Sequence, residues 1–218
     1  MERLNKKKLT AMVVSLCCCL AFTSCNDEKL AKQMEGTWQC SYTNAYDTGE
    51  KERVKQVMTF HYDESEDGED GGTFVEELYG SVKDIDLVFV DGTIDCRYHS
   101  SISGTWSVEL GDLYLTYDVA TLEVELDRND VDLKLNRMVD QLEMAGYMME
   151  TFSDPKDDFV REAQKDCYKE LFHQYKQQNA DDGGFVDLKV SATKMSFETS
   201  DLGRMTFHRV SSSSEEEE

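Results

Sequence analysis

Residues 104–117 read GTWSVELGDLYLTY, two runs of alternating apolar and polar residues that meet at Gly111-Asp112. Alternation with a period of two is typical of a strand that buries one face, and glycine beside aspartate is typical of a hairpin turn. The stretch therefore predicts an antiparallel β-hairpin with one face in a core. The residues on the predicted buried face are Trp106, Val108, Leu110, Leu113, Leu115 and Tyr117.

The same alternation recurs on both sides of this hairpin. Turn residues separate the runs, at 47–49, at 91–92 and at 201–203. Eight to eleven short strands joined by short turns predict an antiparallel meander that has to close or stack to hide its edges. The other predicted inward positions are Trp38, Cys40, Tyr42, Tyr46, Val54, Met58, Phe60, Tyr62, Leu87, Phe89, Ile94, Cys96, Tyr98, Leu122, Val124, Leu126, Val186, Leu188, Val190, Met195, Phe197, Met205 and Phe207.

Two segments follow the period of a helix instead. Apolar residues recur every three or four positions from Asn129 to Phe152. A second helix is predicted to begin at Asp154-Pro155, an N-cap residue followed by proline at the first helical position. We expect an amphipathic helical pair inserted over 129–178, with its apolar stripes packed on the β domain or, alternatively, on a partner.

The first residues resemble the leader of a bacterial lipoprotein. A basic start precedes an uncharged stretch over 9–22, whose 14 residues are too few to span a bilayer, which takes about 20. Phe22-Thr23-Ser24-Cys25 resembles the lipobox of lipoprotein signal peptidase, which implies cleavage after residue 24 and diacylglycerol on Cys25. The alternative is an ordinary signal peptide with a chance cysteine. The following Asn26-Asp27-Glu28 resembles the acidic stretch that sends some lipoproteins to the outer face of the outer membrane.

Charge excludes one class of partner. The whole chain has a net charge of −22, and the predicted mature chain, without four basic residues and one acidic residue, has 19 basic and 44 acidic side chains, net −25. Nucleic-acid binding needs clustered lysine and arginine, so we expect no nucleic-acid partner. The serine and glutamate run over 211–218 predicts a disordered acidic tail.

Catalytic and metal-binding patterns are sparse. The four histidines lie in separate segments, and no CxxC pair, HExxH or nucleophile elbow is present. The sequence therefore predicts no enzyme, no cofactor and no metal site. After the leader and Cys25 are set aside, three cysteines remain, and they are interpreted as buried thiols, with a Cys40–Cys96 disulfide as the alternative.

One acidic loop resembles a calcium site in its spacing. Residues 63–72 place oxygen-bearing side chains at alternate positions with Gly68 sixth. Phe74 stands twelfth, however, where a bidentate glutamate belongs, and the flanks predict strands rather than helices. We interpret the loop as a solvated hairpin connection.

The strand motifs together resemble those of bacterial lipocalin-like lipoproteins. Residues 35–38 (EGTW) open the first predicted strand with the G-x-W of that family, and residues 104–115 resemble its central G-x-W … L-x-L hairpin. Residues 205–210 (MTFHRV) are similar to its last strand. The resemblance implies an antiparallel lipocalin-like β-barrel over 36–210, in which Arg209 stacks on Trp38 and closes the base of the barrel. The helical insertion departs from the family pattern.

These observations predict the organisation and class of the protein. We expect a signal peptide over 1–24, a lipidated tether over 25–35 and a single mainly β domain over 36–210. The function expected first is non-enzymatic binding of a small apolar or amphipathic ligand by an outer-membrane lipoprotein. The alternative is a protein-interaction module with a filled barrel and an unidentified protein partner. The candidate ligand cavity is lined by Tyr42, Phe60, Tyr98 and Trp106.

Overall fold

The structure, a computed structural model, is mainly antiparallel β. It describes residues 27–45, 51–64, 70–86, 92–127, 132–135, 155–180, 184–199 and 202–211. Within these ranges the elements in chain order are α1 (27–34), β1 (Gly36–Ala45), β2 (Lys51–Glu64), β3 (Asp70–Asp86), β4 (Gly92–Glu109), β5 (Asp112–Leu126), β6 (Asp132–Leu135), α2 (Pro155–Ala180), β7 (Val186–Val190), β8 (Lys194–Thr199) and β9 (Gly203–Arg209).

The strands form one curled sheet, whose two edges are joined at one end by an isolated bridge. The strand order is β5-β4-β3-β2-β1-β9-β8-β7, every pairing is antiparallel, and β6 pairs with the first residues of β4. At the edges, Leu113 of β5 and Phe185 exchange two backbone hydrogen bonds of 3.0 and 2.7 Å. The Leu188 N–H also donates to the Gly111 carbonyl at 3.1 Å. The predicted antiparallel sheet with a buried inner face is therefore confirmed.

Several strands are longer than predicted, and glycines allow their neighbours to approach closely. A Cβ on Gly71 would lie 2.1 Å from the Trp106 carbonyl oxygen, and a Cβ on Gly104 would lie 2.2 Å from that of Thr116. Both distances are well inside van der Waals contact. Glycine is therefore required at these points of β3 and β4, where a strand interior would otherwise favour a side chain that packs.

The hairpin over 104–117 forms, but its turn lies one residue earlier than predicted. Glu109 pairs with Asp112, so the two turn residues are Leu110 and Gly111, with φ values of 55° and 85°. A two-residue turn with positive φ at both positions matches the twist of the flanking strands. The prediction that Leu110 points into the core is wrong, since 76% of this residue is exposed.

The predicted helical pair is confirmed in its second helix. The first prediction, a helix over 129–152, is wrong at Asp132–Leu135, which form β6, and its other residues lie outside the described ranges. Strand pairing with Gly92–Asp95 outweighs the local helical periodicity there, because tertiary context overrides a weak intrinsic preference. The second helix begins at Pro155, as predicted, and continues two residues past the predicted end, to Ala180.

Helix α2 packs along β5 with the predicted apolar stripe against the sheet. Ala163, Leu171 and Tyr175 of this stripe are buried. Two side-chain amides of α2 also bond the backbone of β5. The Asn179 amide both accepts from the Tyr117 N–H (2.8 Å) and donates to the Tyr117 carbonyl (2.7 Å), while Gln164 donates to the Val124 carbonyl at 2.7 Å. The interpretation that this stripe packs on the β domain is therefore confirmed.

The segment expected to serve as a tether is folded from residue 27 onward. Residues 27–34 form α1, and Ala31 and Met34 are fully buried in the same core as the sheet. The two buried residues are spaced three apart, so they share one helix face. Only the segment before residue 27 can then act as a tether.

Several predictions fall outside the described residues. They are the signal peptide, Cys25, the inward positions Tyr46, Leu87 and Phe89, the centre of the acidic loop, and the tail from 212 onward. Within the described residues, neither helix combines the length and the apolar character needed to cross a membrane.

Substitution of Gly71 tests the close approach of β3 and β4. We expect Gly71→Ala to lower the free energy of unfolding by about 1–3 kcal/mol, because the new methyl group overlaps a backbone carbonyl. Urea unfolding followed by tryptophan fluorescence measures this effect. Thr73→Ala, at an exposed position of the same strand, is the control and should cost less than about 1 kcal/mol. Equal losses in the two variants would contradict the packing argument.

Candidate functional site

A carboxylate lies at the centre of the curled sheet, and three neutral side chains donate hydrogen bonds to it. The Tyr175 hydroxyl donates to Glu76 Oε1 at 2.7 Å, whereas the Gln56 amide and the Tyr117 hydroxyl donate to Oε2 at 3.0 and 3.3 Å. Glu76 is 3% exposed, Tyr117 6% and Tyr175 4%. These four residues are called the Glu76 cluster below.

The sheet register and α2 bring the cluster together. Glu76 of β3 is opposite Met58 of β2 and so shares the inner face with it. Tyr117 enters from β5, and α2, which lies along β5, adds Tyr175 from 99 positions away in sequence. The cluster was missed from the sequence, although Glu76 stands between Phe74 and Leu78 on the same strand face. The sequence signal that could have revealed the cluster is a single acidic residue among the apolar residues of a buried strand face.

Burial determines the electrostatics of the cluster. Loss of water raises the pKa of Glu76, and the hydrogen bonds from Tyr175, Gln56 and Tyr117 partly oppose that rise. Burial and the nearby Glu76 carboxylate hold the pKa values of Tyr117 and Tyr175 well above their ordinary range. The two hydroxyls therefore remain protonated donors, and the site can hold a proton or a charge but presents no activated nucleophile.

Cys40 extends the cluster by one contact. Its thiol lies 3.7 Å from Gln56 Oε1, and burial together with the Glu76 charge raises its pKa to about 12. A thiol with so high a pKa is a poor nucleophile, because the thiolate is the reactive form. Among the described residues, Cys40, Cys96 and Cys167 are all thiols, so the alternative Cys40–Cys96 disulfide is not formed.

The four residues expected to line a ligand cavity lie in the interior, and three of them are buried. Phe60 and Trp106 meet edge to face with their ring centroids 5.5 Å apart. The ring of Tyr98 lies across Gly80, whose Cβ would fall 2.2 Å from it. Tyr42 is half-buried. The buried three pack against neighbouring side chains and backbone.

The aromatic contacts continue from this pair to α2. Phe60 contacts Phe74 at 6.1 Å between centroids, Phe74 contacts Tyr117 at 5.3 Å, and Tyr117 contacts Tyr175 at 4.7 Å. With Trp106, these rings form a continuous row through the interior, which ends at the Glu76 cluster. The helix thus supplies the last ring of the row.

The structure brings Trp38 and Arg209 together as neighbours on β1 and β9. The guanidinium carbon lies 4.1 Å from the centroid of the Trp38 ring. The same guanidinium donates to three carbonyl oxygens, those of Ala192 (2.9 Å), Glu35 (2.6 Å) and Gln33 (2.7 Å). Arg209 therefore joins the first strand, the β7–β8 connection and the end of α1.

The outer face of the sheet carries an ordered group of side chains that no sequence pattern indicated. The rings of Tyr79 and His99 stack at 4.6 Å, and the Lys55 ammonium lies 5.5 Å from the Tyr79 centroid. Glu77 accepts a hydrogen bond from the Tyr79 hydroxyl at 3.1 Å and lies 3.3 Å from His99 Nε2. We call these four residues the outer-face cluster. Tyr79 is 40% exposed within it.

Two open grooves lie near these features. One, of about 350 Å³, runs beside the outer-face cluster and is lined by Tyr42, Arg53, Lys55 and Tyr79 among others. The second, of about 390 Å³, lies at the other end of the strands. Its lining residues include Asp63, Gly71, Trp106 and Tyr114.

No metal centre is assembled in the part of the chain that the structure describes, since it contains no group of three or more His, Cys, Asp or Glu side chains placed to hold an ion. The centre of the acidic loop considered as a calcium site lies outside that part. The calcium alternative therefore stays a prediction.

The chain matches no protein-family model, and no curated protein and no solved structure is significantly similar to it.

The role of the three hydrogen bonds from Arg209 can be tested by a substitution that keeps the positive charge. We expect Arg209→Lys to lower the free energy of unfolding by about 1–3 kcal/mol, because one ammonium cannot serve three separate carbonyls while stacking on Trp38. Thermal unfolding followed by circular dichroism measures the loss. His208→Gln, at the exposed neighbouring position, should leave the midpoint unchanged. A midpoint of Arg209→Lys equal to wild type would contradict this role.

Because the pKa of Glu76 is raised in the folded protein, its contribution to the free energy of unfolding should fall as pH rises. Below its ordinary pKa of 4.5 the side chain is protonated in both states. Above that pH the unfolded chain ionises first, so the contribution of Glu76 to stability falls as pH rises towards the folded pKa. Glu76→Gln removes this loss. We expect the stability of the variant relative to wild type to increase as pH rises above 4.5, as measured by urea unfolding.

The comparison is made at each pH between two proteins that share all other titrating groups. Glu77→Gln, a change of the adjacent residue on the opposite sheet face, is the control. A stability difference between Glu76→Gln and wild type that is constant with pH would show that Glu76 keeps an ordinary pKa in the folded protein.

Proposed function

We propose that this protein is a non-enzymatic lipoprotein of the outer membrane, anchored through lipid on Cys25, with a lipocalin-like β-barrel as its folded domain. The basic start, the short apolar stretch and the cysteine after Phe22-Thr23-Ser24 support the anchor. The curled sheet whose edge strands meet at Leu113 and Phe185 supports the barrel. Within the proposal, the domain acts by binding rather than by catalysis.

A packed interior favours a role in protein interaction over transport of a small molecule. The row of rings from Trp106 to Tyr175 occupies the inner face, and the Tyr175 hydroxyl is bonded to Glu76. This row is the observation that carries the choice. A small barrel filled by its own side chains leaves its outer surface as the place for recognition.

The outer-face cluster is the surface best suited to that recognition. Stacking with His99 and the hydrogen bond to Glu77 hold the Tyr79 ring in one position. A fixed, exposed tyrosine loses little conformational entropy when a partner covers it, and tyrosine is enriched at the centres of interfaces. The groove beside it adds Arg53, so that with Lys55 of the cluster two cations lie together on a strongly acidic protein.

Binding of a small apolar or amphipathic ligand inside the barrel is the second candidate. The interior polar groups favour it. All hydrogen-bond donors to Glu76 among the described residues are neutral, and the buried Ser100 hydroxyl has no hydrogen-bond partner. The head group of a ligand could bond the Glu76 carboxylate and the Ser100 hydroxyl, provided that α2 moves away to make room.

Metabolic labelling tests the anchor. Cells that express the full-length chain are grown with an alkyne fatty acid, and the wild-type protein is expected to take up the label. Cys25→Ser should remain unlabelled, because no other residue is the proposed acceptor, whereas Cys40→Ser should label like wild type. Equal labelling of Cys25→Ser and wild type would contradict lipidation at this residue.

Native mass spectrometry of the purified protein separates the two candidate functions. We expect the mass of the protein without a ligand, whereas a metabolite that co-purifies reproducibly would favour the second candidate.

A further inference from the structure

Both ends of α1 are fixed to the sheet. At its start, the buried Asp27 carboxylate accepts hydrogen bonds from the backbone N–H groups of Leu110 and Gly111, each at 2.9 Å. At its end, the Trp38 indole donates to the Met34 carbonyl at 2.7 Å. The helix thus extends from the β4–β5 turn to the first residue of β1, and it cannot swing away from the domain without losing these bonds. We call the end of the sheet that carries the β4–β5 turn, α1 and the start of β1 the α1 end.

The position of Asp27 limits how far the domain can stand from its anchor. Only Asn26 separates Cys25 from Asp27, and successive Cα atoms are 3.8 Å apart. The Cα of Cys25 therefore lies within about 8 Å of that of Asp27 in any conformation. A lipid on Cys25 enters the bilayer beside the β4–β5 turn.

The β4–β5 turn itself carries an apolar residue that water does not favour. Leu110 is 76% exposed, more than the other large apolar residues that the structure describes. It occupies a turn position with a φ of 55°, where glycine, asparagine or aspartate is the usual choice. A leucine with positive φ that gains no contact inside the domain is expected where the turn meets an apolar medium.

We propose that the α1 end faces the bilayer and that Leu110 enters its interface, so that the lipid and the β4–β5 turn together fix the orientation of the domain. This inference rests on the proposed lipidation of Cys25. The partner is a lipid surface. Leu202, in the β8–β9 turn at the opposite end of β9 from Arg209, then points away from the membrane.

Charge selects the kind of lipid surface. Glu109 and Asp112, which pair with each other across the β4–β5 turn, place two acidic residues beside Leu110, and the chain as a whole has a net charge of −22. The turn that carries Leu110 is therefore acidic. Anionic head groups would repel it, so the contact is with a zwitterionic surface such as phosphatidylethanolamine mixed with phosphatidylcholine.

Site-specific labels test the orientation. Leu110→Cys and Leu202→Cys are produced as full-length acylated proteins, labelled with a fluorescent maleimide, and reconstituted in phosphatidylethanolamine–phosphatidylcholine vesicles that carry a nitroxide at the head group. Protein without either substitution, labelled in parallel, gives the background from the native cysteines. We expect the label at 110 to be quenched at least threefold more strongly than the label at 202. Equal quenching, or stronger quenching at 202, would overturn the proposal.

A third variant separates orientation from anchoring. Asp27→Ala removes both hydrogen bonds to the β4–β5 turn, so in the Leu110→Cys background it should reduce the quenching at 110 while the protein still floats with the vesicles. Unchanged quenching at 110 would show that α1 does not set the orientation. Circular dichroism checks that each variant is folded. Loss of flotation in Cys25→Ser reports on the lipid itself, and flotation that persists there would count against the proposed anchor rather than against the geometry.

Discussion

The contacts of the Arg209 guanidinium are the interaction on which the arrangement of α1, β1 and the β7–β8 connection depends. One planar group stacks on the first-strand tryptophan and bonds three carbonyls that belong to the end of α1 and to the β7–β8 connection. Arginine suits this position because its five donors are fixed in one plane, and its face can pack against an aromatic ring at the same time. Arg209 and Gln33 lie 176 positions apart, so this contact ties the first helix that the structure describes to the last strand.

The interior is organised around a second long-range contact, between Glu76 and Tyr175. Burying a carboxylate is costly unless hydrogen bonds replace its water. Three neutral donors provide that replacement here, and one of them comes from α2. The position of α2 on the sheet therefore depends on more than its apolar stripe. Loss of Tyr175 would leave the buried Glu76 carboxylate with fewer hydrogen-bond donors. The same contacts place an aromatic ring where an open barrel would have space.

The sequence predicted the antiparallel sheet and the start of α2, since each depends on a local pattern, whereas the stacking of Arg209 on Trp38 was implied only by the resemblance to lipocalin-like lipoproteins. Alternation is strong wherever one face is buried, and proline at residue 155 marks a helix start independently of the fold. The Glu76 cluster could not be predicted, because it combines three strands with a helix about 100 residues away. The predicted tether was wrong for residues 27–34, because eight residues with only two buried apolar positions give a periodicity too short to recognise. Strand β6 was mistaken for helix because its pairing with β4 is not visible in its own four residues.

The side-chain amides of α2 have a consequence for crowding on a surface. Beyond the bridge between Leu113 and Phe185, the rest of the β5 edge would expose unpaired backbone donors and acceptors. Such an edge is a template on which another chain can add a strand. Asn179 occupies both backbone groups of Tyr117, and Gln164 occupies the Val124 carbonyl. A helix cannot continue the ladder, so it ends the sheet instead of extending it. Under the proposed lipid anchoring, which would hold molecules at high density in two dimensions, this arrangement acts against edge-to-edge aggregation between neighbours.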